Sequence, residues 1–330
     1  MIVPMTVKYS IIIPTIDINN YIRENVPHIL KLKRHDWELI IFPNDAAPSE
    51  WQDDRIAVVA SGRVGPAAKR DLGTQHANGD ILVFLDDDSY PAPDLLDVAE
   101  HYFADENVVA LGGPAITPPD DTFWQRVSGA VFLSQLSGGI PERYVPIGKV
   151  RPVNDWPSVN LMVRKDAFLA IGGFNSPYWP GEDTKLCLDL IQKTGKQILY
   201  VPEIRVWHHR RAGLMAHLKQ VGAYGLHRGY FARKYPQTSR KLVYFVPSAF
   251  VLFVVLTIVV PAIIPDMLPL LLVGWAAYAL ALVKAWFDMH RYETALIALT
   301  ATGYTILSHL WYGLRFIQGL ITPKLISRLR

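Results

Sequence analysis

Three aspartates stand together at Asp86, Asp87 and Asp88, directly after the apolar run Ile81-Leu-Val-Phe-Leu85. Adjacent like charges repel, so such a cluster needs a cation or strong donors close by. Asp86 and Asp88, two apart in a turn, can face the same way and offer hard oxygen ligands to Mg²⁺ or Mn²⁺. An acidic turn leading into Pro91 would account for the same residues without chemistry. Gly181-Glu182-Asp183 opens a helical run after the prolines at 177 and 180. A carboxylate fixed at a helix N-terminus stays ionised, which suits a general base, but a helix dipole attracts the same residues. His208, in Trp207-His208-His209, could complete a metal's shell or touch phosphate, or lie on a basic surface. Asn44-Asp45 could hydrogen-bond a ribose or base, and Lys69-Arg70-Asp71 could bring a cation to phosphate; surface charge is the alternative for both.

The elements that must position these residues are legible. Residues 8–14, 37–42 and 80–85 are short β-branched apolar runs, hence buried strands, and 21–32 and 65–77 have helical spacing between them. Strand–helix alternation predicts an α/β fold, a mostly parallel sheet flanked by helices, with ligands at the carboxyl ends of the strands. Further on, 123–133 reads as a helix, as do a run from Asp166 and residues 182–193. A strand over 197–201 follows.

The chain of 330 residues is too long for one ordinary core. Half its residues are hydrophobic and 19% are charged, which excludes a disordered or fibrous protein. The single Cys187 forms no internal disulfide, which fits a reducing compartment. The net charge of +3 conceals an uneven distribution: −8 over 1–202, +8 over 203–241 and +3 over 242–330. A basic collar before an apolar tail is what an anionic membrane leaflet attracts, at about 1 kcal/mol per well-placed Lys or Arg. No nucleic-acid motif accompanies it, so no nucleic-acid partner is expected.

Residues 242–265 and 267–287 are long enough to span a hydrocarbon core as a hairpin. The basic residues at both ends place those ends in the cytoplasm. The stretch 294–320 is interfacial or spanning. Lys324, Arg328 and Arg330 after it favour a cytoplasmic C-terminus, and thus two spans plus an interfacial helix. Residues 1–14 are too short for a cleavable signal and read as a strand. The expected organisation is an α/β lobe over 1–202, a juxtamembrane collar over 203–241 and membrane helices over 242–330, in a multi-pass inner-membrane protein with its lobe in the cytoplasm.

Taken in order, the motifs resemble the family 2 glycosyltransferases of the GT-A fold. The matching residues are Ser10-Ile-Ile-Ile-Pro-Thr15, Asn44-Asp45, Gly65-Pro-Ala-Ala-Lys-Arg-Asp71, Leu85-Asp-Asp-Asp88, Asn160-Leu-Met-Val-Arg164, Gly172-Gly-Phe174, Gly181-Glu-Asp183 and Tyr200-Val-Pro202 through His208. The stretch Gln220 to Gly229 is similar to membrane-associated members that build exopolysaccharide or lipid-linked saccharides.

The resemblance implies that Thr15, Asp17, Asn44, Asp45, Lys69, Arg70, Asp71, Asp86 and Asp87 surround a nucleotide-sugar. It further implies that Asp88, Asp86 and His208 hold Mg²⁺ or Mn²⁺, and that Asp183, with Glu182 beside it, is the base. Trp156, Asn160 and Trp179 fall on the acceptor side. The implied reaction is an inverting, metal-dependent transfer of one sugar to a hydroxyl of a membrane, polyprenyl-linked saccharide acceptor. Transfer directly to polyprenyl phosphate and an inactive scaffold are the alternatives. The chain departs from the family in having Asn44-Asp45 for a usual Asp-Asp pair and Asp17 for a common Asn. It lacks the Q-x-x-R-W signature of processive synthases, which implies addition of one sugar.

Overall fold

The computed structural model describes residues 8–325, so Arg328 and Arg330 lie outside the described residues. The chain divides into two compact units, one over 8–116 and 145–209, the other over 117–144 and 210–325. The first is therefore assembled from two stretches of chain, and the basic collar is shared between the units.

The first unit is built on strands β1 (Tyr9–Pro14), β2 (Trp37–Phe42), β3 (Ile56–Val58), β4 (Ile81–Leu85), β5 (Ser89–Pro91), β6 (Val108–Gly112) and β7 (Ala115–Ile116). Four more follow: β8 (Arg151–Val153), β9 (Asn160–Arg164), β10 (Gln197–Tyr200) and β11 (Val206–His208). Eight form one sheet in the order β3-β2-β1-β4-β9-β6-β10-β8, and β5-β11-β7 form a smaller one. β1 runs parallel to β2 and β4, with Ile11 beside Leu39 and Val83. β9 is antiparallel to both β4 and β6. The sheet is thus mixed at its centre, whereas strand–helix alternation predicts parallel neighbours.

Its helices are α1 (Asn20–Ile29), α2 (Pro66–His76), α3 (Leu95–Phe103), α5 (Lys165–Ile171) and α6 (Glu182–Thr194), with α4 (Phe123–Ala130) in the second unit. They cover both faces of the large sheet, which is why its strands read as continuous apolar runs. Tyr9, Ile11 and Ile13 enter one core with Val83 and Leu85; Ile12 enters the other with Leu82 and Phe84. α2 lies close on β1, because a Cβ at Gly73 would come within 2.7 Å of the Ile12 side chain. Lys69 and Arg70 are thereby pressed beneath the strand ends.

The second unit holds α7 (Leu214–Lys234), α8 (Pro236–Ser239), α9 (Leu242–Ile263), α10 (Leu268–His290) and α11 (Ala295–Ile321). Two of its segments, Leu242–Ile263 and Pro265–His290, are long and apolar enough to cross a membrane. Their side chains are largely exposed, unlike those of a soluble core helix.

Gly113 links the two sheets of the first unit, between β6 and β7. A Cβ there would overlap the Ile204 carbonyl, just before β11. Gly113→Ala is expected to displace β11 and cost roughly 1–3 kcal/mol, as overpacking does. Thermal unfolding of the two proteins in detergent measures it, and an unchanged midpoint would contradict the close approach.

Candidate active site

The apolar strand β4 ends at Leu85, and the chain turns at once through Asp86, Asp87 and Asp88 into β5. Ser89 closes the turn. Its hydroxyl accepts from the Asp86 N–H at 3.1 Å and donates to the Asp86 carbonyl at 2.9 Å. β11 pairs antiparallel with β5, with His208 opposite Ser89. The His209 N–H donates to the Asp88 carbonyl at 3.0 Å. This pairing sets His208 Nε2 3.0 Å from Asp88 Oδ1, both side chains being nearly buried.

Oxygen and nitrogen atoms of Asp86, Asp88 and His208 lie within 4.8 Å of one another. Two carboxylates and an imidazole fit a divalent ion that accepts both hard oxygen and borderline nitrogen, as Mn²⁺ does. His209 faces elsewhere: its Nε2 lies 3.1 Å from Glu24, and its ring sits near Tyr21 and Tyr90.

Beneath this turn lies the Arg70 guanidinium, only 2% exposed. Its Nη2 donates to Asp86 Oδ1 at 2.5 Å and its Nη1 lies 3.5 Å from Glu182 Oε1. The Arg70 guanidinium lies over the Phe174 ring, 5.7 Å from its centroid, and neither Nε nor Nη1 has a hydrogen-bond partner among the described residues. Arg70 therefore joins the acidic end of β4 to the first residue of α6. That helix starts from Gly181, whose φ of +111° suits glycine. Asp183 follows, half-buried, with its Oδ1 accepting from the Thr184 N–H at 2.7 Å. Burial, then the neighbouring Asp183 charge, raises the Glu182 pKa from its ordinary 4.5 to about 8, against the pull of Arg70.

The sequence model of the glycosyl transferase family 2 matches residues 10–168, from β1 through the strand-end aspartates to α5. The chain carries a family 2 glycosyltransferase domain. A pre-mycofactocin glycosyltransferase of Mycobacterium tuberculosis is 30% identical over 179 residues, covering 54% of this chain and 37% of that protein. A glucosyl-dolichyl phosphate glucuronosyltransferase of Haloferax volcanii is 23% identical over 222 residues, covering 61% of this chain and 69% of that protein. The chain thus spans little more than a third of the mycobacterial relative. Among solved structures, a mannosyltransferase from Pyrobaculum calidifontis, in complex with GDP-Man and Mn²⁺, superposes with a TM-score of 0.53 at 17% identity. That likeness covers 93% of this chain and 87% of the other, and it shows the GT-A fold.

Within the family 2 domain, several expected site residues have structural partners. The Lys69 ammonium is buried and donates to the Thr15 carbonyl at 2.5 Å, the Phe42 carbonyl at 3.2 Å and Asn44 Oδ1 at 2.7 Å. It ties the ends of β1 and β2 together, and burial lowers its pKa. Asp87 accepts from Thr15 Oγ1 at 3.0 Å and Asn19 Nδ2 at 2.9 Å, turning away from the other two aspartates. Burial and the charge of Asp88 raise its pKa. Asp71 accepts from the Phe174 and Asn175 N–H groups and so anchors the turn after Gly172-Gly173. Asp17 and Asp45 are exposed, and Asn44 is half-buried at the end of β2.

On the acceptor side, two of the three expected residues are buried. Trp156 is 1% exposed, stacks on Tyr200 and donates Nε1–H to the Gly113 carbonyl. Asn160 begins β9 and donates to the carbonyls of Pro114 and Ile204. Each locks the junction of the two sheets. Trp179 stays half-buried in the turn before α6. Glu182, expected beside the base, is buried and lies 3.5 Å from Arg70. Asn19 escaped the sequence reading; its signal is an N-cap position, since its Oδ1 accepts from the Ile22 N–H.

Asp88→Asn is expected to abolish the rise in melting temperature that Mn²⁺ gives the full chain. A full shift in that variant would remove Asp88 from the ligand set. A raised Glu182 pKa means the folded chain holds a proton the unfolded chain releases, so stability falls as pH rises from 4.5 to about 8. Glu182→Gln is expected to flatten that part of the profile, read by unfolding at several pH values; an unaltered slope would contradict the burial of the carboxyl.

Proposed function

We propose that this protein is an inverting, divalent-metal-dependent glycosyltransferase that moves one sugar from a nucleotide-sugar to a hydroxyl of a lipid-linked acceptor at the membrane. The observation that carries the reading is the Asp86, Asp88 and His208 donor set, joined through Arg70 to the α6 N-terminus that bears Asp183. The family 2 domain over 10–168 supports transfer from a nucleotide-sugar. The Haloferax relative, named for a glucosyl-dolichyl phosphate substrate, supports a lipid-linked acceptor. The two apolar helices support a hairpin in the inner membrane, with the sheet unit and both hairpin ends in the cytoplasm.

Asp88, Asp86 and His208 would hold Mn²⁺ or Mg²⁺, which when bound supplies positive charge opposite the departing diphosphate. Arg70 keeps Asp86 oriented toward that position and, through Glu182, keeps the first turn of α6 facing it. Asp183 takes the proton from the acceptor hydroxyl as that oxygen forms its bond to the anomeric carbon. The bond from the anomeric carbon to the diphosphate oxygen breaks on the opposite face, and the nucleoside diphosphate leaves with the electron pair. The configuration inverts, and no covalent enzyme intermediate is required.

Asp183→Asn is expected to lower turnover about 10²- to 10⁴-fold, the usual range for loss of a general base, with binding of the nucleotide-sugar retained. A panel of nucleotide-sugars, read by thermal shift and then by product mass with lipid extracts, measures both quantities. Turnover equal to that of the parent protein would exclude Asp183 as the base.

A further inference from the structure

α11 carries an exposed apolar stripe at helical spacing: Leu296, Leu299, Leu307, Leu314, Ile317 and Ile321. It runs the length of a helix of 27 residues, about 40 Å, which is more than enough to span a bilayer. The opposite face is covered by α7, and glycines bring the two backbones together. A Cβ at Gly222 would strike Trp311, one at Gly229 the Phe316 carbonyl, and one at Gly319 the Leu226 carbonyl. His217 Nε2 lies 3.0 Å from Ser308 Oγ at one end, and Arg233 donates to the Thr322 carbonyl at the other. Residue numbers rise together along these contacts, so α7 and α11 run parallel, side by side.

α7 cannot cross hydrocarbon. Lys219, Arg233 and Lys234 are exposed on it, Arg228 half so, and from Lys219 to Lys234 is about 22 Å along the axis. Such charges belong at headgroup depth. α11, sealed to α7, is held at that depth too.

The hairpin gives an independent measure. α9 and α10 are antiparallel, with Phe250 stacked on Tyr278 at 4.3 Å and Phe253 near Trp275. The start of α9 and the end of α10 are therefore level. α11 touches both: Phe316 packs on Phe245, Ser248 Oγ donates to the Gly313 carbonyl at 3.1 Å, and Trp286 Nε1 donates to the Ala295 carbonyl at 3.4 Å. Ala295 and Phe316 lie about 32 Å apart along α11, yet both contact the same end of the hairpin. A spanning helix could not do this.

We infer that α7 and α11 form one in-plane unit at the lipid surface, stripe toward the acyl chains, so that the described residues cross the membrane twice. The inference rests on the membrane reading of the α9–α10 hairpin and is independent of the chemistry proposed above.

The test places nitroxides at Leu299→Cys, Leu307→Cys, Leu314→Cys and Ile321→Cys of the full chain in lipid vesicles, with Val259→Cys on α9 as reference. All five side chains are exposed, and Cys187 is buried. Accessibility to oxygen and to a water-soluble relaxing agent reports depth. Equal, shallow depth at the four α11 sites with a deep Val259 site supports the inference. Depth that changes steadily along α11, by about 1.5 Å per residue, overturns it in favour of a third span. Aqueous exposure along the stripe overturns it in favour of a protein partner or second copy. An aqueous Val259 site overturns the membrane reading itself.

Discussion

A single buried guanidinium sets what the rest of the sheet unit must do. Arg70 has too little exposure to be hydrated, so its charge is met by Asp86 on one side, while the buried Glu182 carboxyl lies 3.5 Å away on the other. Loss of the Asp86 carboxylate would leave that buried guanidinium without its charged partner. The strand end with the aspartates and the helix start with Asp183 are thus bound to one point. Every other feature of the site is a way of holding that point still.

The large sheet supplies the rigidity. Apolar residues of β1 and β4 fill cores on both faces, and α2 approaches β1 closely enough to drive Arg70 under the turn. The small sheet supplies the third donor, because the pairing of β11 with β5 fixes His208 against Asp88. Trp156 and Asn160 bond backbone carbonyls where the chain passes between the sheets, so residues that look chemical hold the frame. In the second unit the same principle works through glycine, which lets the basic helix α7 and the apolar helix α11 pack backbone to backbone.

Much of this was legible in the amino-acid order. A buried strand reads as an apolar run, so the three aspartates after Leu85 could be placed at a strand's carboxyl end. The Pro–Gly punctuation before Glu182 marked the start of α6. The meeting of Arg70 with Glu182 was not legible, because 112 positions separate them in sequence and no local pattern records a long-range contact. Strand direction was equally hidden: apolar periodicity is the same for parallel and antiparallel neighbours, so the reversed β9 went unseen. Asn160 and Lys69 have structural partners that the sequence does not record. A polar side chain suggests a ligand until the buried carbonyls it satisfies are known.

The most direct test of the central claim is anomalous diffraction from crystals of the full chain grown with Mn²⁺ and a nucleoside diphosphate. The account predicts one strong manganese peak within coordination distance of Asp88 and His208, about 2.0–2.3 Å, with Arg70 still bridging Asp86 and Glu182. A peak bound elsewhere, or an Arg70 swung away from Glu182 with the ion in place, would contradict it.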